Sequence, residues 1–216
     1  MIRCLPSVVA SPAEGATVIE VWAREHVEKV VAPIGRGLAR IGVRPAHLTV
    51  TGLVVTLIGS VLLATGSVVV GALVILGGSA LDGLDGSVAR ASGSDSPRGA
   101  LLDSVFDRIG ETAMFAACSF WLTSRLSPDE GDPALVVLCV LSLGASLVIS
   151  YLRAKADIGR VEGRGGLMGR AERVILFAAG FIFDQVTVML WMMAILTWLT
   201  VFQRFFKTWR QLSPGD

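Results

Sequence analysis

Four aspartates stand close together in a stretch of chain that is otherwise apolar. Asp82 and Asp85 are three residues apart, and Asp103 and Asp107 are four residues apart. Both spacings place side chains on one face of a helix. A charged side chain at the centre of a bilayer costs about 2.5–3.5 kcal/mol on insertion scales, so four of them need compensation. Carboxylate oxygens are preferred ligands of hard cations, and we predict a site for one or two divalent ions.

A short polar connector separates the two aspartate pairs. Residues 92–97 read Ser-Gly-Ser-Asp-Ser-Pro, which predicts a tight turn between two antiparallel helices. The four carboxylates would then face one another, and without cations they would repel and take up protons. Gly83, Gly86 and Gly99 lie around this space, where glycine allows either close approach of a ligand or close helix packing. Arg90 adds a fixed positive charge suited to a phosphate.

Residues 82–107 follow the pattern D-x-x-D-G-x-x-A-R-x8-G-x-x-x-D-x-x-x-D. This pattern resembles the signature of the CDP-alcohol phosphotransferase family, and the resemblance extends over nearly the whole chain after residue 18. It implies a membrane enzyme that transfers a phosphatidyl group from CDP-diacylglycerol (CDP-DAG) to an alcohol and releases CMP. The resemblance also implies a homodimer.

The resemblance assigns a role to each residue of the pattern. Asp82, Asp85 and Asp103 would hold one Mg²⁺ (or Mn²⁺), and Asp82, Asp103 and Asp107 would hold a second. Asp107 would also be the general base that deprotonates the acceptor hydroxyl. The pocket for cytidine diphosphate would be lined by Asp82, Gly83, Asp85, Gly86, Ala89 and Arg90.

Glu111 continues the stripe of Asp103 and Asp107 by one helical turn. A carboxylate at this position fits two interpretations. It could accept a hydrogen bond behind the cation ligands or link to another helix, or it could form an ion pair with Arg108 or a different partner.

Four basic residues fall at similar depth near the ends of predicted helices: Arg153, Lys155, Arg173 and Arg204. Such a cluster is typical of a pocket for a phosphorylated acceptor, although anchoring to anionic lipid head groups is an alternative. We interpret Arg160, Arg164, Lys207 and Arg210 as lipid anchors. The strings S-Y-L-R-A-K-A-D and G-R-A-E-R resemble the phosphatidylinositol-phosphate and archaetidylinositol-phosphate synthases, which implies inositol 1-phosphate (inositol 3-phosphate) as acceptor. Glycerol 3-phosphate, the acceptor of phosphatidylglycerophosphate synthase, is the alternative.

These residues must be positioned by membrane helices. The chain is 53% hydrophobic and 17% charged, and the hydrophobic residues come in long runs. Soluble domains carry about 25% charged residues. We predict an all-α integral membrane protein with six transmembrane helices at residues 47–65, 68–91, 99–122, 134–156, 171–183 and 186–205. An amphipathic interfacial helix at residues 18–42 precedes the membrane domain of residues 43–210, and residues 1–17 and 211–216 are predicted tails.

The positive charges predict an orientation in the cell membrane. Of nineteen Lys and Arg residues, only Arg125 falls clearly on the side opposite the termini, so we expect the termini and the aspartates to face the cytoplasm. The net charge of +1 offers no field for nucleic acid. A divalent-ion transporter is an alternative for intramembrane carboxylates, but residues 68–76 and 115–122 provide no polar path onward. A catalytically silent scaffold is disfavoured because all four aspartates are present.

Overall fold

The computed structural model describes residues 32–94, 96–125, 133–163 and 165–212, which are helical and contain no strand. The predicted all-α class is therefore confirmed for this part of the chain. Residues 32–40 form a helical segment, whereas the predicted tail at residues 1–17 and most of the predicted amphipathic helix lie outside the described residues. The helices that follow are α1 Pro45–Ala64, α2 Val68–Asp82, α3 Asp85–Ser92, α4 Pro97–Arg125, α5 Pro133–Ile158, α6 Arg170–Ile182 and α7 Val186–Gln211.

Four segments are long and apolar enough to cross a membrane: Pro45–Ala64, Val68–Ser92, Pro133–Ile158 and Val186–Gln211. The other two predicted spans also coincide with helices. However, α4 carries several charges in its first half, and α6 has only 13 residues. The count of six spans therefore stays a prediction.

The predicted helix over residues 68–91 is interrupted, which corrects the sequence-based boundary. Helix α2 ends at Asp82, and α3 begins at Asp85. Gly83 and Leu84 form a turn between them, but both keep right-handed backbone angles (φ −62° and −83°). Because the turn continues the right-handed winding, Asp82 and Asp85 still point toward the same region.

Helices α1 and α2 pack closely through glycines. A Cβ atom built on Gly52 would lie 2.8 Å from the carbonyl oxygen of Gly78, and one built on Gly59 would lie 2.8 Å from that of Gly71. Small residues let helix backbones approach in this way inside a membrane. Gly52 also lies against Asp82, at 2.9 Å from its Cβ to a Cβ built on the glycine. This packing fixes the C-terminal end of α2 relative to α1.

Aromatic rings connect α4 to α6. Phe115 and Phe177 meet edge to face with ring centroids 5.8 Å apart, and Trp121 and Phe181 do so at 5.4 Å. Such pairs contribute about 0.5–1.5 kcal/mol beyond their burial. The contacts hold α6 along α4, so the first residues of α6 lie beside the aspartates of α4.

Candidate active site

Three carboxylates converge where α2, α3 and α4 meet. Asp82, Asp85 and Asp103 each offer an oxygen atom, and these oxygens all lie within 4.8 Å of one another. Asp82 is buried, while Asp85 and Asp103 are half-buried. The donor set consists of carboxylate oxygens only, and such a set fits Mg²⁺ or Mn²⁺. The helical spacing predicted that Asp82, Asp85 and Asp103 would meet, whereas Asp107 is not part of this group of three.

A threonine of α1 orients one of these carboxylates. The hydroxyl of Thr49 donates to Oδ2 of Asp85 at 2.6 Å, and it also lies 3.2 Å from the carbonyl oxygen of Pro45. Thr49 is buried. Partners behind a metal ligand typically fix its orientation. Thr49 is therefore positioned to hold Asp85 toward the shared space.

The fourth aspartate of the pattern, Asp107, is contacted by two arginines. Its Oδ1 lies 2.6 Å from Nη1 of Arg170, and its Oδ2 accepts a hydrogen bond of 3.1 Å from Nη1 of Arg108. The same Nη1 of Arg170 also donates to Oδ2 of Asp82. Arg170 thus joins the start of α6 to Asp82 at the end of α2 and to Asp107 in the first half of α4.

A cavity of about 430 Å³ adjoins the aspartates between α1, α3 and α4. Among the predicted nucleotide-pocket residues, Asp85, Gly86 and Ala89 line it. Cβ atoms built on Gly83 and Gly86 would meet nothing nearer than 3.5 Å, so these glycines are not needed for helix packing. The remaining lining comes from Pro45, Ala46, Thr49, Ser94, Ser96, Pro97, Gly99, Ala100, Leu102 and Asp103.

Arg90 lies beside this cavity and not on its described lining. It is exposed, its Nη2 donates to Ser87 Oγ at 3.3 Å, and its Nη1 lies 3.5 Å from a Cβ built on Gly86. Asp82 and Gly83 are likewise absent from the lining. The side chain of Arg90 is long enough to turn from Ser87 toward a phosphate.

Glu111 forms an ion pair with Arg173 rather than with Arg108. Nε of Arg173 donates to Oε1 at 2.5 Å, and Nη2 donates to Oε2 at 3.2 Å. Nη1 of Arg173 donates to the carbonyl oxygen of Met168 at 3.1 Å. Glu111 and Arg173 are both buried, which makes this pair a polar link between α4 and α6.

The other predicted acceptor residues, Arg153, Lys155 and Arg204, have different surroundings. Arg153 and Lys155 are exposed, and Lys155 lies over the Tyr151 ring at 5.4 Å from its centroid. Arg204 is half-buried, and its Nε donates to the carbonyl oxygen of Gly165 at 2.8 Å. Arg153 and Arg173 both lie within electrostatic range of Arg204. Arg173 is paired with Glu111, and Glu172 also acts on Arg204, so the excess positive charge of this region comes from Arg153 and Arg204 and favours an anion there.

The loop before α6 contacts one face of α7 through hydrogen bonds and an ion pair. Backbone amides of Leu167 and Met168 donate to Gln203 Oε1 at 3.2 Å and to Thr200 Oγ1 at 3.0 Å. Lys207, predicted to be a lipid anchor, forms an ion pair with Glu162 of this loop, with 3.1 Å between Nζ and Oε2. These contacts fix the position from which α6 starts with Arg170. Arg164, predicted to be a lipid anchor, lies outside the described residues.

Two residues of the site were missed at the sequence level. Thr49 contacts Asp85 across 36 positions, and Arg170 contacts Asp82 across 88. Spacing arguments reach only neighbours on one helix, so neither contact had a local signal. The string G-R-A-E-R includes Arg170, but only the packing of α6 on α4 places its side chain at the aspartates.

Comparison with known proteins agrees with this geometry. The family model of CDP-alcohol phosphatidyltransferases matches residues 43–205. The phosphatidylinositol phosphate synthase of Mycobacterium marinum is 34% identical over 202 residues, which cover 89% of this chain and 84% of the relative.

Two solved structures of Mycobacterium tuberculosis phosphatidylinositol phosphate synthase are similar to this chain. The structure with CDP-DAG bound has a TM-score of 0.74 and 31% identity, and covers 87% of this chain and 96% of that chain. The structure in complex with manganese and citrate has a TM-score of 0.74 and 32% identity, with coverages of 86% and 90%.

Proposed function

Since this chain belongs to the CDP-alcohol phosphatidyltransferase family, we propose that it transfers the phosphatidyl group of CDP-DAG to inositol 1-phosphate (inositol 3-phosphate) and releases CMP. The observation that carries the proposal is the convergence of Asp82, Asp85 and Asp103 within 4.8 Å beside the 430 Å³ cavity. Asp85 and Asp103 belong both to this cluster and to the cavity lining, so a nucleotide bound in the cavity would lie next to the proposed cation ligands.

Asp82, Asp85 and Asp103 would hold one divalent cation, and Asp107 would complete a second position with Asp82 and Asp103. The manganese complex of the similar synthase supports divalent-ion dependence, and the choice of Mg²⁺ and the number of two are part of the proposal. When bound, the cations would neutralise the diphosphate and the charge developing on the leaving CMP.

The cavity is proposed to hold the cytidine diphosphate. Gly86 and Ala89 present almost no side chain to it, which leaves room for the nucleotide against the backbone of α3. Gly83 and Arg90 flank the same helix, and Arg90 can bring its guanidinium to a phosphate oxygen. The CDP-DAG complex of the similar synthase supports this assignment.

Asp107 is proposed as the general base. It lies on the same face of α4 as Asp103, one turn further along, and is half-buried. Its carboxylate would accept the proton of the acceptor hydroxyl as that oxygen attacks the phosphorus atom. Arg108 and Arg170 restrict the rotation of this carboxylate, so it can be aimed before the acceptor arrives.

The basic cluster is proposed to bind the phosphate of the acceptor. Arg153 and Lys155 are exposed and can close on an anion, whereas Arg173 and Arg204 are held in place by protein oxygens. A phosphorylated alcohol suits such a cluster better than a neutral one does. The relatives that act as phosphatidylinositol phosphate synthases support inositol phosphate over glycerol 3-phosphate.

The enzyme is a membrane protein, and we propose that its site faces the cytoplasm. The basic residues around the site support this orientation under the positive-inside rule. Labelling of Ser94→Cys and Ser67→Cys with a membrane-impermeant maleimide tests it, because the two positions are predicted on opposite sides. The proposed six spans rest on the apolar runs of the sequence, and the proposed homodimer rests on the family resemblance. Crosslinking in native membranes tests the dimer.

The deciding experiment is an acceptor panel with purified enzyme, CDP-DAG and Mn²⁺ or Mg²⁺. CMP release is expected with inositol phosphate and not with glycerol 3-phosphate, free inositol or serine. Release with glycerol 3-phosphate alone would replace the proposed acceptor. Release that persists in EDTA would contradict the metal site.

A further inference from the structure

Arg170 connects two carboxylates of the site through a single nitrogen atom. Its Nη1 contacts Asp82 Oδ2 and lies 2.6 Å from Asp107 Oδ1. The side chain is 27% exposed, so its partners are mainly these two acids and not water. By contrast, Asp85 accepts a hydrogen bond from the neutral hydroxyl of Thr49. Within the part of the chain that the structure describes, neither Asp85 nor Asp103 forms an ion pair with an arginine.

The two halves of the aspartate cluster therefore differ in charge. The space among Asp82, Asp85 and Asp103 is surrounded by carboxylates. The space between Asp82 and Asp107 already contains a guanidinium nitrogen. A divalent cation that coordinated Asp82 Oδ2 and Asp107 Oδ1 would have to lie close to Arg170 Nη1. Because the cation and the guanidinium are both positive, they would repel each other strongly in a partly dry site.

We propose that Arg170 competes with the second divalent cation for Asp82 and Asp107, and that it turns to a substrate phosphate when that cation binds. This inference rests on the proposed function, because it takes the second cation position from it. Arg170 is the first residue of α6, one turn before Arg173, and so borders the basic cluster proposed for the acceptor phosphate. A planar guanidinium that leaves two carboxylates could form a bidentate pair with two oxygens of a phosphate there.

The competition makes the two cation positions unequal. The first cation binds among Asp82, Asp85 and Asp103, and of these three described carboxylates Arg170 forms an ion pair with Asp82 alone. The second must first move Arg170, so its affinity stays low until a phosphate offers the arginine a new partner. Arg170 thereby ties completion of the metal site to the presence of substrate, and the coupling is reciprocal.

Binding of Mn²⁺ alone to the purified full-length protein tests the inference, by titration calorimetry and by electron paramagnetic resonance of the free ion. Wild type is expected to bind one Mn²⁺ tightly and a second weakly. Arg170→Gln is expected to bind the second ion about tenfold more tightly, in the usual range of coupling between sites. Arg210→Gln, at an exposed arginine near the end of α7, is the matched control and should behave as wild type. Unchanged second-site affinity in Arg170→Gln would overturn the inference.

Arg170→Lys provides a second route if Arg170→Gln does not fold, as judged by size-exclusion chromatography. A lysine lacks the planar fork, competes less well for two carboxylates, and should raise second-site affinity by a smaller factor. No change in this variant would also contradict the inference. If wild type binds no Mn²⁺ and Asp85→Asn changes nothing, the proposed metal site fails, and this inference fails with it. Tight first-site binding with an unaffected second site contradicts the competition alone.

Discussion

Arg173 and Glu111 form a two-pronged ion pair in the protein interior, with Nε–Oε1 and Nη2–Oε2 distances of 2.5 and 3.2 Å. The pair joins α6 to α4 next to the aspartates. Arg173 also holds the carbonyl oxygen of Met168, so the same guanidinium fixes the last residues of the loop before α6. Its position links the aspartates of α4 to the basic cluster.

Breaking this pair from one side should be strongly destabilising. Glu111→Gln leaves the Arg173 guanidinium buried without its counter-charge, which costs about 3–5 kcal/mol in comparable cases. Glu111→Leu combined with Arg173→Met removes both charges and should recover most of the stability. Thermal unfolding in detergent measures both variants. The double variant leaves the net charge of the region unchanged, so it should show a raised KM for inositol phosphate only through loss of the proposed direct contact between Arg173 and the acceptor phosphate. An unchanged KM would limit Arg173 to a structural role.

Asp107→Asn should abolish turnover and leave the fold and CDP-lipid binding largely intact. The amide keeps the shape of the side chain but cannot accept the proton of the acceptor hydroxyl, and loss of a general base typically costs about 10²–10⁴-fold in rate. CMP release and binding of CDP-DAG should be measured on the same preparation. Asp157→Asn, at an exposed position, is the control. Near-normal kcat in Asp107→Asn would remove it from the role of base.

Thr49→Val should weaken metal binding without contact with the metal. The substitution keeps the side-chain volume but removes the 2.6 Å hydrogen bond that orients Asp85, and losses behind a ligand typically cost about 10–100-fold in affinity or activity. Thr49→Ser should retain the bond and near wild-type Mn²⁺ affinity. Thr65→Val tests a threonine whose hydroxyl bonds only within its own helix end, and should be neutral. Equal Mn²⁺ affinity in Thr49→Val and wild type would show that Asp85 is held by other contacts.

Arg153→Gln and Arg204→Gln should separate binding of the acceptor from anchoring of the loop. Both are expected to raise KM for inositol phosphate more than KM for CDP-DAG, since each removes a positive charge from the acceptor cluster. Arg204→Gln should also lower the unfolding temperature, because Arg204 donates to the carbonyl oxygen of Gly165 while Arg153 is exposed. Equal changes in both KM values would favour anchoring to lipid head groups over binding of the acceptor.

The sequence predicted the features that depend on local spacing. The aspartate pairs lie three and four residues apart, and Asp82, Asp85 and Asp103 do converge. The starts of the six predicted helices lie within two residues of the observed ones because long apolar runs mark them, whereas α7 extends six residues beyond its predicted end at residue 205. The family resemblance is confirmed by the match over residues 43–205, and the transporter alternative has no support from it.

Contacts between distant segments could not be predicted from spacing. Glu111 had Arg108 as a sequence neighbour, but the packing of α6 on α4 brought Arg173 to it instead. The interruption at Gly83 and Leu84 was missed because the i, i+3 spacing of Asp82 and Asp85 fits one continuous helix, and both intervening residues keep right-handed backbone angles. The packing role of Gly52 and Gly78 was also not predicted, because it depends on which helix lies opposite each glycine.

Gly78→Ala tests whether close packing of α1 on α2 positions Asp82. A Cβ on Gly78 would lie 2.5 Å from Thr56 Oγ1 and 2.8 Å from the carbonyl oxygen of Gly52, so the helices must separate. Such overpacking typically costs about 1–3 kcal/mol. Gly77→Ala is the matched control on the next residue, since a Cβ there meets nothing within 4 Å and alanine favours the helix. Thermal unfolding should therefore show a loss for Gly78→Ala and no loss for Gly77→Ala. Because Asp82 lies one turn further along α2, Mn²⁺ affinity should fall with Gly78→Ala only; equal affinity in both variants would mean that the ligand is positioned independently of this packing.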